Sequence, residues 1–308
     1  MYKYVVRRFL LMIPVIIGVS FFVFFTMKLS PGDPARMVAG SEADEETVRQ
    51  IRAELGLDQP LLTQYVNYMF KLVQGDLGVS FSSGKSVSGE IASRLPATAK
   101  LAFFSMIIAI VVAIPIGILS ATKQYSLADN LSMVAALLGV SIPNFWLGLM
   151  LIIVFALNLG LLPSGGSEGF KSLILPSVTL GVGSMASFTR TTRSSMLEVI
   201  RQDYIRTVRA KGVNEKKVIR RHALRNALIP VVTVIGLQVG TLLGGAVVTE
   251  TVFSWPGIGR LMIESIKKKD EPVVLGCLIV FAVCFSMINL LVDILYAYID
   301  PRIKSQYR

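Results

Sequence analysis

Six long runs of this 308-residue chain contain no aspartate, glutamate, lysine or arginine, and each run has at least 18 residues. They cover residues 9–27, 101–122, 130–167, 172–189, 226–249 and 272–292. About 20 apolar residues in a helix cross the hydrocarbon core of a bilayer, and a crossing segment must satisfy its own backbone hydrogen bonds. The third run, residues 130–167, is too short to contain two transmembrane helices and the turn between them, so we count it as one span. The sequence therefore predicts an all-α integral membrane protein with six transmembrane helices.

The charged residues between these runs are divided unequally between the two sides of the membrane. One side holds both termini and the loops after the second and fourth spans, with 18 of the 31 basic residues and 5 of the 20 acidic ones. The other side holds 13 basic and 14 acidic residues, and Asp293 falls in the last span. Short loops rich in lysine and arginine remain in the cytoplasm. We therefore expect the N and C termini to be cytoplasmic.

The segment between the first and second spans, residues 29–96, is long enough to form helices of its own. Ser41 or Asp44 is placed to cap one helix, Pro60 opens a second at a position where proline is tolerated, and a short third helix is predicted over 87–95, with the second span starting at Pro96. The predicted divisions are a first transmembrane helix at 1–28, a small extracytoplasmic helical segment at 29–96, and a five-helix core at 97–308.

The cytoplasmic loop at residues 190–226 is too long and too regular to be a simple connection. Its apolar residues recur every four positions, at Ile200, Tyr204 and Val208. Gly212 interrupts this helical pattern, and Asn214 is placed to cap a second helix. Glycine suits such a joint because it adopts left-handed backbone conformations at little cost. Two short helices joined at a glycine would form a compact projection that can carry force from a soluble partner into the flanking spans.

Polar side chains within the apolar spans are few, and we interpret four of them as a translocation face. These residues are Asn144, Ser184, Gln238 and Thr241. An equally simple interpretation is that each satisfies a kinked backbone. The fifth span also has glycines at every fourth position, namely Gly236, Gly240 and Gly244. This spacing allows two helices to approach closely, either within one subunit or against a second subunit or a pathway.

The chemistry that is missing from the sequence narrows the function. The one histidine, His222, lies in the cytoplasmic loop, and no cluster has metal-ligand spacing, so neither a metal site nor a catalytic residue is predicted. The only match to a phosphate-binding loop, residues 78–86, has the wrong glycine spacing. Carriers driven by ion gradients place ionisable residues within the membrane, and this chain has only Asp293 there. An energy source outside the chain is therefore implied.

The cytoplasmic loop resembles that of bacterial ABC-type import permeases of the dipeptide/oligopeptide/nickel branch. The matching segments in the loop are Tyr204-Ile-Arg-Thr-Val-Arg-Ala-Lys-Gly212 and Arg221-His-Ala-Leu-Arg-Asn-Ala-Leu-Ile-Pro230. Further matches along the chain are Pro31-Gly-Asp-Pro34, Leu55-Gly-Leu-Asp-Gln-Pro60, Gly75-Asp-Leu-Gly78, Ser141-Ile-Pro-Asn144, Glu250-Thr-Val-Phe-Ser-Trp-Pro-Gly-Ile-Gly259 and Asp300-Pro-Arg302. One departure from the general signature is that Arg206-Thr-Val208 stands where Glu-Ala-Ala would.

The resemblance implies a type I ABC importer permease fold in the bacterial plasma (inner) membrane. It also implies a second homologous permease, two cytoplasmic ATPase subunits, and an extracytoplasmic binding protein that delivers di- or oligopeptides. ATP would be bound by the partner subunits, so this chain would need no cofactor and would not be an enzyme. The residues expected to couple the chain to an ATPase are Tyr204, Arg209, Lys211, Gly212, Asn214 and Glu215.

Three other functions remain open at this point. The same machine could import nickel or a nickel chelate. The chain could be a self-contained channel or secondary carrier in the lipid bilayer, which the shortage of intramembrane ionisable residues disfavours. The basic loop could instead bind nucleic acid, but Tyr204 is its only aromatic side chain and base-stacking surfaces use several, so no nucleic-acid partner is expected.

Overall fold

The computed structural model describes residues 2–29, 32–40 and 42–299, and helices make up most of this part of the chain. The α-helices are α1 (Tyr2–Leu29), α2 (Pro34–Ala39), α3 (Glu45–Glu54), α4 (Leu61–Val73), α5 (Val87–Thr122), α6 (Leu127–Ser141), α7 (Asn144–Leu151), α8 (Lys171–Ile200), α9 (Asp203–Ala210), α10 (Glu215–Lys217), α11 (Leu224–Val252), α12 (Ile258–Lys267) and α13 (Glu271–Ile299). Two π-helical segments, Ile152–Asn158 and Val218–Ala223, extend α7 and α10. Ser41, Pro31 and residues 300–302 lie outside the described residues.

Five straight helices in the described residues are long and apolar enough to cross a membrane. A sixth candidate is the pair formed by 127–141 and 144–158, which bends by 108° at its break. The break falls at Pro143, which precedes α7 and cannot donate a backbone hydrogen bond to α6. The predicted count of six is therefore met only when this broken pair is taken as one span, and the third span is not the single helix that the run at 130–167 suggested.

The prediction that a short helix ends before Pro96 is wrong, because α5 runs without interruption from Val87 to Thr122. Proline lacks only its own N–H, and inside a membrane helix the carbonyl freed one turn earlier can find another partner. The cap prediction for the extracytoplasmic segment is more successful. Asp44 is the N-cap of α3, and its side chain accepts a hydrogen bond from the backbone N–H of Thr47 at 3.3 Å.

The chain divides into two compact units, of which the first comprises Met1–Ala99 and Ser254–Met287. In this unit the α4 side chain Tyr65 packs among aromatic rings of α1, including Phe24. The buried Trp255 indole donates a hydrogen bond from Nε1 to the Ala97 carbonyl at 2.9 Å. The carboxylate of Asp270 is also buried, and it accepts hydrogen bonds from the backbone N–H groups of 81 and 82 and from a serine hydroxyl. These bonds fix the loop that precedes α5.

The second unit, Lys100–Phe253 with Ile288–Arg308, contains the helix pairs that pack most closely. Glycines of one helix lie directly against the backbone or β-carbon of another. A β-carbon built on Gly181 of α8 would lie 2.8 Å from the Ser105 carbonyl oxygen of α5, and one built on Gly117 of α5 would lie 2.6 Å from Cβ of Thr192 of α8. Such contacts occur where membrane helices associate through small residues.

This packing predicts that Gly181→Ala destabilises the protein by about 1–3 kcal/mol, because an added methyl group has to displace backbone in a filled interface. The control is Gly183→Ala on the same helix, where no atom lies within 4 Å of the added carbon. The apparent melting temperatures of the two purified variants in detergent test the prediction. Equal values for both variants would show that α5 and α8 are not packed in this way.

Candidate functional site

The loop element, which we define as residues 203–217, begins with helix α9 directly after α8. At its centre Gly212 has a backbone φ of +74°, and its N–H donates a hydrogen bond to the Arg209 carbonyl at 2.9 Å. No atom lies within 4 Å of the position where a β-carbon would be added to Gly212. The demand for glycine therefore comes from the left-handed backbone conformation, as the sequence predicts, and not from a lack of space.

The second half of the loop element is attached directly to the fifth span. Asn214 caps α10, with its side-chain oxygen accepting a hydrogen bond from the Lys216 N–H at 2.9 Å. The sequence suggested a short helix that ends near Leu224. Instead, α10 continues through the π-helical segment into α11, so that one continuous helix runs over Glu215–Val252. No glycine or proline occurs between Asn214 and Pro230 to end it.

An ion pair bridges the glycine joint. The guanidinium of Arg209 donates from Nη2 to Oε1 of Glu215 at 2.7 Å and from Nε to Oε2 at 3.1 Å. This two-point bond raises the pKa of Arg209 above its usual value. Both side chains are partly exposed, at 38% and 59%, and exposed pairs contribute at most about 1 kcal/mol of stability. The pair therefore defines the angle between α9 and α10 more than it stabilises the fold.

Tyr204 ties α9 to the start of the fifth span. Its hydroxyl donates to the His222 carbonyl at 3.3 Å and accepts a hydrogen bond from Nδ2 of Asn226 at 2.6 Å. Lys211, by contrast, is exposed next to the joint. All six residues expected to couple the chain to an ATPase thus lie in one hydrogen-bonded element, to which Lys211 belongs through its backbone N–H bond to the Thr207 carbonyl at 3.2 Å.

A buried apolar cluster lies beneath the loop element. It contains Ala121, Met196, Val199, Ile205, Val218, Ala223 and Ala227. The predicted stripe of 200, 204 and 208 packs against this cluster. Ile205 itself has no exposed surface, although the four-residue spacing did not select it. Its position one residue after Tyr204 widens the apolar face of α9, and a wider face is what a helix needs to be buried on one side.

The cytoplasmic ends of α5, α6 and α8 are joined by a buried carboxylate that sequence reasoning missed. Asp129 is 1% exposed. It accepts hydrogen bonds from Nε and Nη2 of Arg193 at 2.7 and 2.8 Å, from the Tyr125 N–H at 2.9 Å, and from the Ser120 hydroxyl. Both carboxylate oxygens therefore have two donors each. Arg193 was counted in the sequence only as one of many basic residues, and no local pattern identifies its distant partner.

The four residues of the predicted translocation face do not form one cluster. On α11, Oγ1 of the exposed Thr241 lies 2.8 Å from Oε1 of the half-buried Gln238. Ser184 is buried within α8. Asn144 begins α7 directly after the break at Pro143, and its Nδ2 lies 3.9 Å from the position of a β-carbon added to Gly245. The structure brings together only Gln238 and Thr241, so the pathway role of all four remains a prediction.

The glycine pattern of the fifth span is split between two surroundings. Gly236 and Gly240 are buried, whereas Gly244 is exposed with no atom within 4 Å of an added β-carbon. A β-carbon added to Gly245 would lie 3.0 Å from Cδ1 of Leu180 of α8. Among the described residues, no group of three or more histidine, cysteine, aspartate or glutamate side chains is arranged to hold a metal ion.

Comparison with known proteins assigns this architecture to a family. Residues 113–305 match the model of the binding-protein-dependent transport system inner membrane component, and residues 1–102 match the model of the N-terminal part of such membrane components. The chain is 48% identical to a dipeptide transport system permease protein, DppB, of Alkalihalophilus pseudofirmus, covering 99% of this chain and 100% of the relative. It is 47% identical to the glutathione transport system permease protein GsiC of Escherichia coli K12, covering 99% of each chain.

Solved structures support the same fold. An inward-facing form of the MetNI methionine ABC transporter matches with a TM-score of 0.58 and 20% identity, over 68% of this chain and 96% of that one. An amino acid ABC transporter matches with a TM-score of 0.55 and 15% identity, over 68% and 94%. The chain belongs to the binding-protein-dependent transport inner membrane components and has the type I ABC importer permease fold. It is a multi-pass protein of the bacterial inner membrane and a transport subunit that works with other subunits.

The Asp129–Arg193 pair predicts a non-additive mutant cycle. Asp129→Leu or Arg193→Met alone leaves one buried charge without its partner and should lower the stability by about 3 kcal/mol. The double variant removes both charges and should be closer to the unsubstituted protein than the sum of the two losses. Unfolding in mixed micelles measures all four free energies. Additive losses would show that the two side chains do not interact.

Proposed function

We propose that this chain is one of two permease subunits in an ATP-driven importer of di- or oligopeptides, and that the loop element is its contact with an ATPase. The family membership establishes binding-protein-dependent transport. The observation that supports the coupling role is the geometry of the loop element: a rigid projection with a glycine joint, continuous with the fifth span and held to the ends of the second and fourth.

The proposed mechanism uses this attachment. Two cytoplasmic ATPases bind the loop elements of this chain and of a second, homologous permease. When ATP closes the ATPase pair, the two loop elements move together, and each carries its own α8 and α11 because the apolar cluster joins them. The spans then open to the outside and receive the peptide from an extracytoplasmic binding protein. Hydrolysis on the ATPases resets them, so this chain itself catalyses no reaction.

The cargo assignment rests on the relatives. Two proteins that match over almost their whole length are named for a dipeptide and for glutathione, both of which are short peptides. These names favour peptides over nickel or a nickel chelate. The extracytoplasmic segment at 29–96 is proposed to help receive the binding protein, since it forms folded helices outside the spans.

Replacing Gly212 tests the coupling role. In Gly212→Val, a β-branched residue would have to adopt a φ of +74°, which costs about 1–2 kcal/mol and lowers the population of the competent joint roughly tenfold. Peptide uptake by the complete transporter in proteoliposomes should fall by about that factor, while the amount of inserted chain stays the same.

The matched control is Gly212→Asn, because asparagine tolerates left-handed backbone better than other side chains. It should retain more uptake than the valine variant. ATPase activity measured in the same vesicles separates lost coupling from lost assembly. Undiminished uptake in Gly212→Val would contradict the proposed role of the joint.

A further inference from the structure

Helix α8 is the most enclosed of the straight candidate spans. In its most apolar stretch 67% of the residues are buried, compared with 11–39% in the other four. Helices α6, α7 and α11 pack against α8, and α5 approaches it closely at Gly181 and Thr192. Four residues of α8 are exposed, and all of them are polar: Lys171, Arg190, Ser194 and Glu198.

Two of the exposed residues, Arg190 and Ser194, line one shallow depression of about 420 Å³, together with Ser187, Thr191 and Ser195. At 100° per residue, positions 187, 190, 191 and 194 share one face of the helix. Arg190 and Ser194 are exposed, and Ser187 and Thr191 are half-buried. We call this area the α8 polar face.

The α8 polar face lies where the fourth span passes into the cytoplasmic loop, which begins at residue 190. Hydroxyl groups and a guanidinium at this level need hydrogen-bond partners, which water or a polar ligand can supply. Arg190 lies ten residues before the end of α8, which corresponds to about 15 Å along the helix. The α8 polar face is therefore placed to border water at the cytoplasmic end of the fourth span.

The guanidinium of Arg190 has no ion-pair or hydrogen-bond partner among the residues whose side chains the structure describes, namely 6, 10–29, 32–40, 42–292 and 294. Its neighbour Arg193 is fully engaged by Asp129. The carboxylate on the same side of α8, Glu198, is eight residues further along, at about 12 Å by the helical rise. The one permanent cation of the α8 polar face is therefore available to a ligand that carries negative charge.

We propose that the α8 polar face is a binding site for the terminal carboxylate of the transported peptide, with Arg190 as its anchor. The proposal rests on the proposed function, in which the cargo is a short peptide. Every unmodified peptide has a C-terminal carboxylate, and the planar guanidinium binds a carboxylate through two parallel hydrogen bonds. The hydroxyl groups of Ser187, Thr191 and Ser194 supply further hydrogen-bond donors. Water can still reach the site, so the peptide can be released.

The first experiment uses the complete transporter, with its second permease, ATPases and binding protein, in phosphatidylcholine vesicles. Uptake of radiolabelled dialanine is compared among Arg190→Gln, Arg190→Lys and the unsubstituted transporter. The glutamine variant should lose about tenfold or more of the uptake, because bonds to a charged group are lost. The lysine variant keeps the charge but cannot form the two parallel hydrogen bonds, so its uptake should fall between that of the glutamine variant and that of the unsubstituted transporter. Lys123→Gln, which removes an exposed cation at the cytoplasmic end of α5, should leave uptake unchanged.

The second experiment asks whether peptide reaches Arg190. Cys277 and Cys284 are replaced by alanine, and Ser194, an exposed residue of the α8 polar face, by cysteine, so that Arg190 itself is kept. The anionic thiol reagent methanethiosulfonate ethylsulfonate is then added during ATP turnover. Labelling should occur and should slow when binding protein loaded with dialanine is present. Phe103→Cys in the same background, at an exposed apolar position of α5, should not react because it faces lipid.

Several results would overturn the proposal. Normal uptake in Arg190→Gln would exclude an anchoring role, and equal losses in the glutamine and lysine variants would indicate packing instead of charge. An effect of Arg190→Gln seen only when anionic lipid is added would assign the guanidinium to a headgroup. A cysteine at 194 that never reacts would place the α8 polar face against another subunit, and one that reacts without protection by peptide would show that the peptide does not bind there. A lack of dialanine uptake by the unsubstituted transporter would contradict the proposed cargo before any variant is compared, and this inference would fail with it.

Discussion

The apolar cluster beneath the loop element connects parts of the chain that are far apart in sequence. Ala121 comes from the end of α5, Met196 and Val199 from α8, Ile205 from α9, and Ala227 from the start of α11. Because close-packed interiors transmit displacement with little compression, these helix ends move as one body. A force applied to the loop element can therefore act on three spans at once, and no motor is needed within the chain itself.

The polar network at Asp129 extends this connection to helix α6. The carboxylate holds α6 to α8 through Arg193 and to α5 through Ser120. A buried ion pair is weak evidence for stability, because desolvation offsets most of its attraction. Its bidentate geometry instead specifies one relative placement of the helices. The broken span at Pro143 is also held to α8 by close packing, since a β-carbon added to Gly139 of α6 would lie 3.0 Å from the Val182 side chain.

What could be predicted from the sequence depended on whether the signal was local. Gly212, the cap at Asn214 and the apolar stripe of α9 follow from neighbouring residues, and the structure shows the expected joint. The span count depended on charge-free runs, and a proline within the third run predicts a kink at Pro143, but not a break that bends the span by 108°. Conversely, a proline such as Pro96 is typical of a helix start, but α5 continues through it without interruption. Asp129 and Arg193 are 64 residues apart, and no rule of spacing pairs them.

The most direct test of the account is a cryo-EM structure of the assembled transporter with its ATPases bound to a non-hydrolysable ATP analogue. The account predicts that residues 203–217 lie in a groove of one ATPase, with the apolar cluster intact behind them. A map in which these residues face solvent, with the ATPases attached elsewhere, would contradict the claim that this chain is moved through its loop element.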